Sequence, residues 1–67
     1  MNIGKIIRDL RKDKGLTQTQ LAEKISTTQD TISLWELGKS YPDIINLIKL
    51  AKFFSVSTDY MLGLKEF

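Results

Sequence analysis

A chain of 67 residues holds one domain at most, and a domain of this size buries only about 60% of its unfolded surface. With no histidine and no cysteine it lacks the usual general base near neutral pH, the strongest nucleophile, thiolate metal ligands and disulfides, so neither an enzyme nor a metal or cofactor site is expected. The net charge of +2 is only weakly basic, and no apolar run approaches the roughly 20 residues needed to span a bilayer, which predicts a soluble cytoplasmic protein.

The first predicted helix runs from Ile3 to Lys14, with Ile3, Ile6, Ile7 and Leu10 in one apolar stripe and Gly15 at the left-handed position that ends it. Lys5, Arg8 and Lys12 occupy the other side. Over residues 1–14, five basic side chains (Lys5, Arg8, Arg11, Lys12, Lys14) outweigh Asp9 and Asp13, whereas the rest of the chain is slightly acidic. A positive first helix is compatible with a polyanion partner, and equally with a solvated face.

Leu16-Thr17-Gln18-Thr19-Gln20-Leu21 opens a second helix. Thr17 and Gln20 have the spacing of a capping box, and Leu16 and Leu21 that of a hydrophobic staple. The helix ends near Lys24, and Ile25 and Ser26 leave a brief turn before the next cap at Thr27 or Thr28. A third helix covers Gln29 to Leu37 with Gly38 beyond; Ile32, Trp35 and Glu36 share one face, while Asp30, Ser33, Leu34 and Leu37 share the other.

Pro42-Asp43 opens a fourth helix whose buried stripe is read as Ile44, Leu47, Ile48, Ala51 and Phe54. Ser57 caps a fifth, with Val56 and Met61 as a second staple and Gly63 at its end. No segment shows sustained strand alternation, and there is no repeat or linker. The expected fold is all-α: a single domain over residues 1–67, a compact bundle of five short helices.

The second and third helices, joined by three or four residues, match a helix-turn-helix over about residues 17–37, and Ala22 is small enough to let them approach closely. Of the twenty residues Thr17 to Glu36, eleven are Ser, Thr, Gln or Asp. Short groups of this kind reach phosphates and base edges at little cost in ordering entropy.

The stretch "LTQTQLAEKISTTQDTISLWELGK", continued by "YPDIINLIKLAKFFSVSTDYMLG", resembles the helix-turn-helix family of lambdoid phage repressors, Cro proteins and bacterial XRE-type regulators. Leu16, Gln18, Leu21-Ala22, Ile32-Ser33, Trp35-Glu36, Gly38-Lys39, Pro42, Leu50-Ala51, Val56-Ser57, Asp59 and Leu62-Gly63 carry the likeness, from roughly Ile3 to Gly63. It implies a five-helix DNA-binding domain with the third helix in the major groove and the second across the backbone.

On that docking, Gln18, Thr27, Lys39, Ser40 and Tyr41 are expected at the DNA backbone, and Thr28, Gln29, Asp30, Ser33 and Leu34 at base edges. Gln18 sits where helix N-terminal N–H groups attract phosphate. Gln29 can pair bidentately with adenine, Asp30 can accept from cytosine N4, and Leu34 can pack on thymine methyls. Thr27 and Thr28 are first of all turn and cap residues, and Ser33 is similarly open between a helix-surface residue and a base contact. The resemblance further implies an Arg11–Glu36 salt bridge and a Trp35 in the core.

The implied function is a sequence-specific transcriptional regulator, with repression the expected mode, binding a palindromic double-stranded operator as a homodimer. Thr58, Tyr60, Met61, Leu64 and Phe67 form the candidate dimer surface, or else pack onto the core. A further C-terminal domain is compatible with the likeness. The competing reading is an antitoxin-like protein-interaction module of the same fold, favoured by acidic Asp30 and apolar Leu37 on the third helix.

Overall fold

The structure is a computed structural model that describes residues 2–65; Phe67 lies outside them. Five helices and no strand occur among the described residues: α1 (Ile3–Asp13), α2 (Gln18–Lys24), α3 (Gln29–Glu36), α4 (Ile44–Phe54) and α5 (Thr58–Met61). Four of them start on side-chain caps. The Thr17, Thr28, Asp43 and Ser57 oxygens each accept the backbone N–H three residues on, and at Thr17 the Gln20 side chain returns the bond.

Every helix ends in a Schellman turn. In α1, the Gly15 N–H donates to Lys12 O and the Leu16 N–H to Arg11 O. Gly15, Gly38 and Gly63 take the left-handed conformation at three of the ends. At the other two the same conformation is held by serine, Ser26 after α2 and Ser55 after α4. Ser26 thus makes the sharp corner of the helix-turn-helix, its N–H directed at Glu23 O and that of Thr27 at Ala22 O.

The core contains Ile3 and Ile7 of α1, Leu21 and Ala22 of α2 with Ile25 just past its end, Ile32 and Trp35 of α3, Leu50, Ala51 and Phe54 of α4, and Met61 of α5. Gly4 is also buried, and a Cβ there would collide with the Trp35 carbonyl oxygen and lie 3.1 Å from that of Glu36. The absence of a side chain at Gly4 is what lets α1 rest on the C-terminal turn of α3.

Two sequence expectations are corrected. Ile44 and Ile48 do not belong to the buried stripe of α4: they are 75% and 42% exposed, and the inward face is Leu50, Ala51 and Phe54 with Leu47 at its edge. Eight of the eleven α4 residues are apolar, so two overlapping stripes satisfy the helical period and only tertiary packing chooses between them. Met61 is fully buried and cannot form part of a dimer surface, because it closes the core beneath α5.

Candidate nucleic-acid interface

The interface begins with the two caps. The Thr17 box fixes Gln18 as the first residue of α2, and Thr28 fixes Gln29 as the first residue of α3. Ala22 is almost completely buried, which permits the close packing of the two helices. That packing brings the two N-termini together: Gln29 Nε2 donates to Gln18 Oε1 at 2.7 Å.

A line of four side chains runs from the core to this point. Arg11 donates through Nε and Nη2 to the two carboxylate oxygens of Glu36, at 2.7 and 2.9 Å, and through Nη1 to Leu16 O at 2.8 Å. Hydrogen bonding to Glu36 pushes the Arg11 pKa up from its already high ordinary value, against the opposing effect of burial. Gln18 Nε2 then donates to Glu36 Oε1 at 3.1 Å.

The chemistry of the donors sets the direction of the whole line. An ionised Glu36 can only accept, so Gln18 must turn its NH₂ inward and its carbonyl outward, and Gln29 must meet that carbonyl with its own NH₂. Gln18 retains one amide N–H. Gln29 retains one N–H together with its carbonyl oxygen, the donor and acceptor pair that an adenine edge requires.

The predicted site residues separate by environment. On α3, Ile32 and Trp35 are buried, whereas Gln29, Asp30 and Leu34 face outward and Ser33 is half-buried. Leu34 is 42% exposed and Leu37, just past the helix, 63%. Thr28 uses its hydroxyl in the cap and in a 2.8 Å bond with the Thr31 hydroxyl, which leaves its methyl group outward-available. Asp30 lies in the first turn of α3, where its negative charge also complements the helix dipole.

Thr27 is half-buried in the corner between the helices. The Lys39 and Ser40 N–H groups donate back to Leu34 O at 3.0 and 3.4 Å, which folds this loop over the end of α3. Lys39 and Tyr41 are exposed there and Ser40 is half-buried. The expected Arg11–Glu36 bridge is present, but its extension through Gln18 to Gln29 had no signal in the sequence, because each of the four residues reads adequately by itself. Among the described residues no acidic cluster could hold a metal ion, and no helix is long and apolar enough to cross a membrane.

A family model described as Helix-turn-helix matches residues 7–61. The chain is 42% identical over 66 residues to the HTH-type transcriptional activator BcrR of Enterococcus faecalis, covering 98% of this chain and 32% of that protein. It is 38% identical over 66 residues to the HTH-type transcriptional regulator ImmR of Bacillus subtilis (strain 168), covering 98% of this chain and 52% of that protein. It therefore spans about half, or less, of these curated relatives. The crystal structure of the P22 c2 repressor protein in complex with synthetic operator 9T, in the presence of Tl+, matches at a TM-score of 0.90 and 31% identity, over 97% of this chain and 98% of that one.

Proposed function

Because the chain belongs to the helix-turn-helix family of XRE-type regulators, we propose that it is a sequence-specific regulator of transcription that reads the major groove of double-stranded DNA with α3. Residues 1–67 act as one DNA-binding domain, with residues 17–37 as the reading unit. The observation that carries this reading is the hydrogen-bonded Gln18–Gln29 pair. It is anchored on a buried ion pair, and it holds unused amide donors and an acceptor at the joined N-termini of α2 and α3.

In this reading Gln29, Ser33, Leu34, Asp30 and the methyl of Thr28 face bases, while Gln18, Thr27, Lys39, Ser40 and Tyr41 follow the backbone. The protein is a binding protein rather than an enzyme, and it acts in a bacterial or phage-infected cytoplasm. Two copies bind a palindromic operator, each contributing the exposed surface around Thr58, Tyr60 and Leu64 to the dimer.

Selection from a random duplex library, followed by anisotropy titration, tests the proposal. The expected outcome is enrichment of a palindrome bound at least about a thousandfold more tightly than random duplex. Absence of any salt-sensitive binding to duplex DNA at low ionic strength would overturn it. That outcome would favour a protein-interaction module of the same fold, the reading to which the exposed Leu34, Leu37 and Tyr41 side chains lend support.

A further inference from the structure

A second feature lies at the other end of α2. Its last residue, Lys24, and the corner residues Ile25 and Ser26 face Lys49, Lys52 and Phe53 of α4 across a cavity of about 290 Å³. Gln18, at the first turn of α2, belongs to the opposite end of that helix. Ile25 is buried and Phe53 half-buried, and the Phe53 ring is held by an edge contact with Phe54, centroid to centroid 5.1 Å. The floor is thus apolar and preformed.

Apart from Ser26, the polar side chains at the rim are all basic. Besides Lys24, Lys49 and Lys52, the Lys14 ammonium lies 5.4 Å from the centre of the Phe53 ring. The ion pairs among the described residues are Lys5–Asp9 and Arg11–Glu36, so none of these four lysines has a carboxylate partner there. Lys49 makes one long bond, 3.5 Å, to the Ile25 carbonyl oxygen, which leaves two of its three donors unused. Three lysines at the pocket and a fourth beside its aromatic floor give this face a positive charge that complements an anion.

We propose that this lysine-rimmed pocket between α2 and α4 docks an acidic segment of a partner protein, with one apolar side chain inserted over Phe53 and carboxylates on the lysines. In a duplex the apolar groups, the thymine methyls, lie inside the major groove and not beside the phosphates, so DNA does not offer an anion and an inserting apolar side chain together. The volume, at the low end of what holds a small organic ligand, suits a single large side chain presented from a surface. The proposal does not rest on the DNA-binding reading, since it concerns a different end of α2 and different side chains.

The test is a titration of the ¹⁵N-labelled full chain with the peptide acetyl-Asp-Glu-Leu-Phe-Asp-Glu-amide, followed by amide chemical shifts. Saturable shifts centred on Ser26, Lys49 and Phe53 are expected. Binding should weaken at least about fivefold when the acids become Asn and Gln, and again when Leu-Phe becomes Ser-Ser, since charge and apolar burial both contribute. The variant K24Q/K49Q/K52Q changes only exposed side chains and should lose the peptide while keeping its fold. Its DNA affinity should keep the same salt slope.

Failure to see shifts at ~1 mM peptide, a Kd corresponding to only about 4 kcal/mol, would overturn the proposal. So would equal binding of the neutral peptide, or shifts centred on Gln29. A DNA salt slope reduced by about one unit for each lysine removed would also overturn it, by assigning the cluster to phosphate contacts.

Discussion

Gln18 and Glu36, eighteen residues apart, share a 3.1 Å hydrogen bond that ties the first turn of α2 to the last residue of α3. The same Gln18 side chain accepts from Gln29, so a contact to the DNA backbone through its remaining amide N–H would be coupled to the orientation of Gln29. From the sequence, a Gln18 variant would weaken binding uniformly across DNA sequences. The structure changes that expectation. Gln18→Ala releases Gln29 from its fixed orientation, so it should lower affinity and also relax preference at the base that Gln29 is proposed to read, by part of the roughly 1–3 kcal/mol a bidentate pair supplies. Competition binding on single-base operator variants checks this; uniform weakening alone would refute it.

Arg11→Ala leaves the Glu36 carboxylate, whose side chain is only 3% exposed, without its partner. The expected loss of stability is roughly 3–5 kcal/mol by urea denaturation. Replacing both members, as in Arg11→Met with Glu36→Leu, should recover much of that loss, because no unpaired charge remains buried. The double variant still deprives Gln18 of its acceptor, so it should fold but discriminate operators poorly. A double variant that restored both properties would show that the network is structural only.

Ser26 holds a left-handed backbone conformation that costs an L-residue roughly 1–2 kcal/mol. Ser26→Gly should therefore raise stability by about 0.5–1 kcal/mol after the greater entropy of glycine in the unfolded chain is deducted. For a domain of this size that is a rise in Tm of about 2–8 °C. Gly4→Ala should act in the opposite sense, by about 1–3 kcal/mol, because the new methyl meets the backbone of α3 rather than a movable side chain. Calorimetry on the two variants measures both.

Gln29 and Leu34 are five residues apart on α3, and in the proposed docking they would address different positions. Leu34→Ala should lose preference for thymine over uracil at one half-site position, while Gln29→Ala should relax adenine preference at another. Duplexes carrying single thymine-to-uracil replacements separate the two effects. Equal tolerance of every replacement by the unaltered protein would assign the exposed leucine to a protein contact. Lys39→Ala should weaken all duplexes alike and reduce the salt slope by about one unit.

The five helices were legible because their boundaries are local chemistry. The Thr17–Gln20 box, the Thr28, Asp43 and Ser57 caps, and Gly15, Gly38 and Gly63 all act within a few residues of themselves. The end of α4 was left unmarked, since Ser55 stands there in place of glycine. The inward face of α4 was ambiguous because its apolar residues nearly encircle it. Of the line Arg11–Glu36–Gln18–Gln29, the Arg11–Glu36 link was legible through the family resemblance, whereas the links to Gln18 and Gln29 were not, for they join residues that the fold alone brings together.

Gly4 and Arg11 stand two turns apart on one face of α1, and both end at the same place: Gly4 against the carbonyls of Trp35 and Glu36, Arg11 against the Glu36 carboxylate. A sliding of α3 along its axis would have to break a backbone contact and a bidentate ion pair together. The two helices should consequently open as one cooperative unit in hydrogen exchange, with amides of α1 and α3 sharing a common opening free energy. The four-residue α5 has no such clasp and should exchange sooner. Opening is then easiest at α5, and the proposed reading helix is presented to its target by a part of the molecule that yields last.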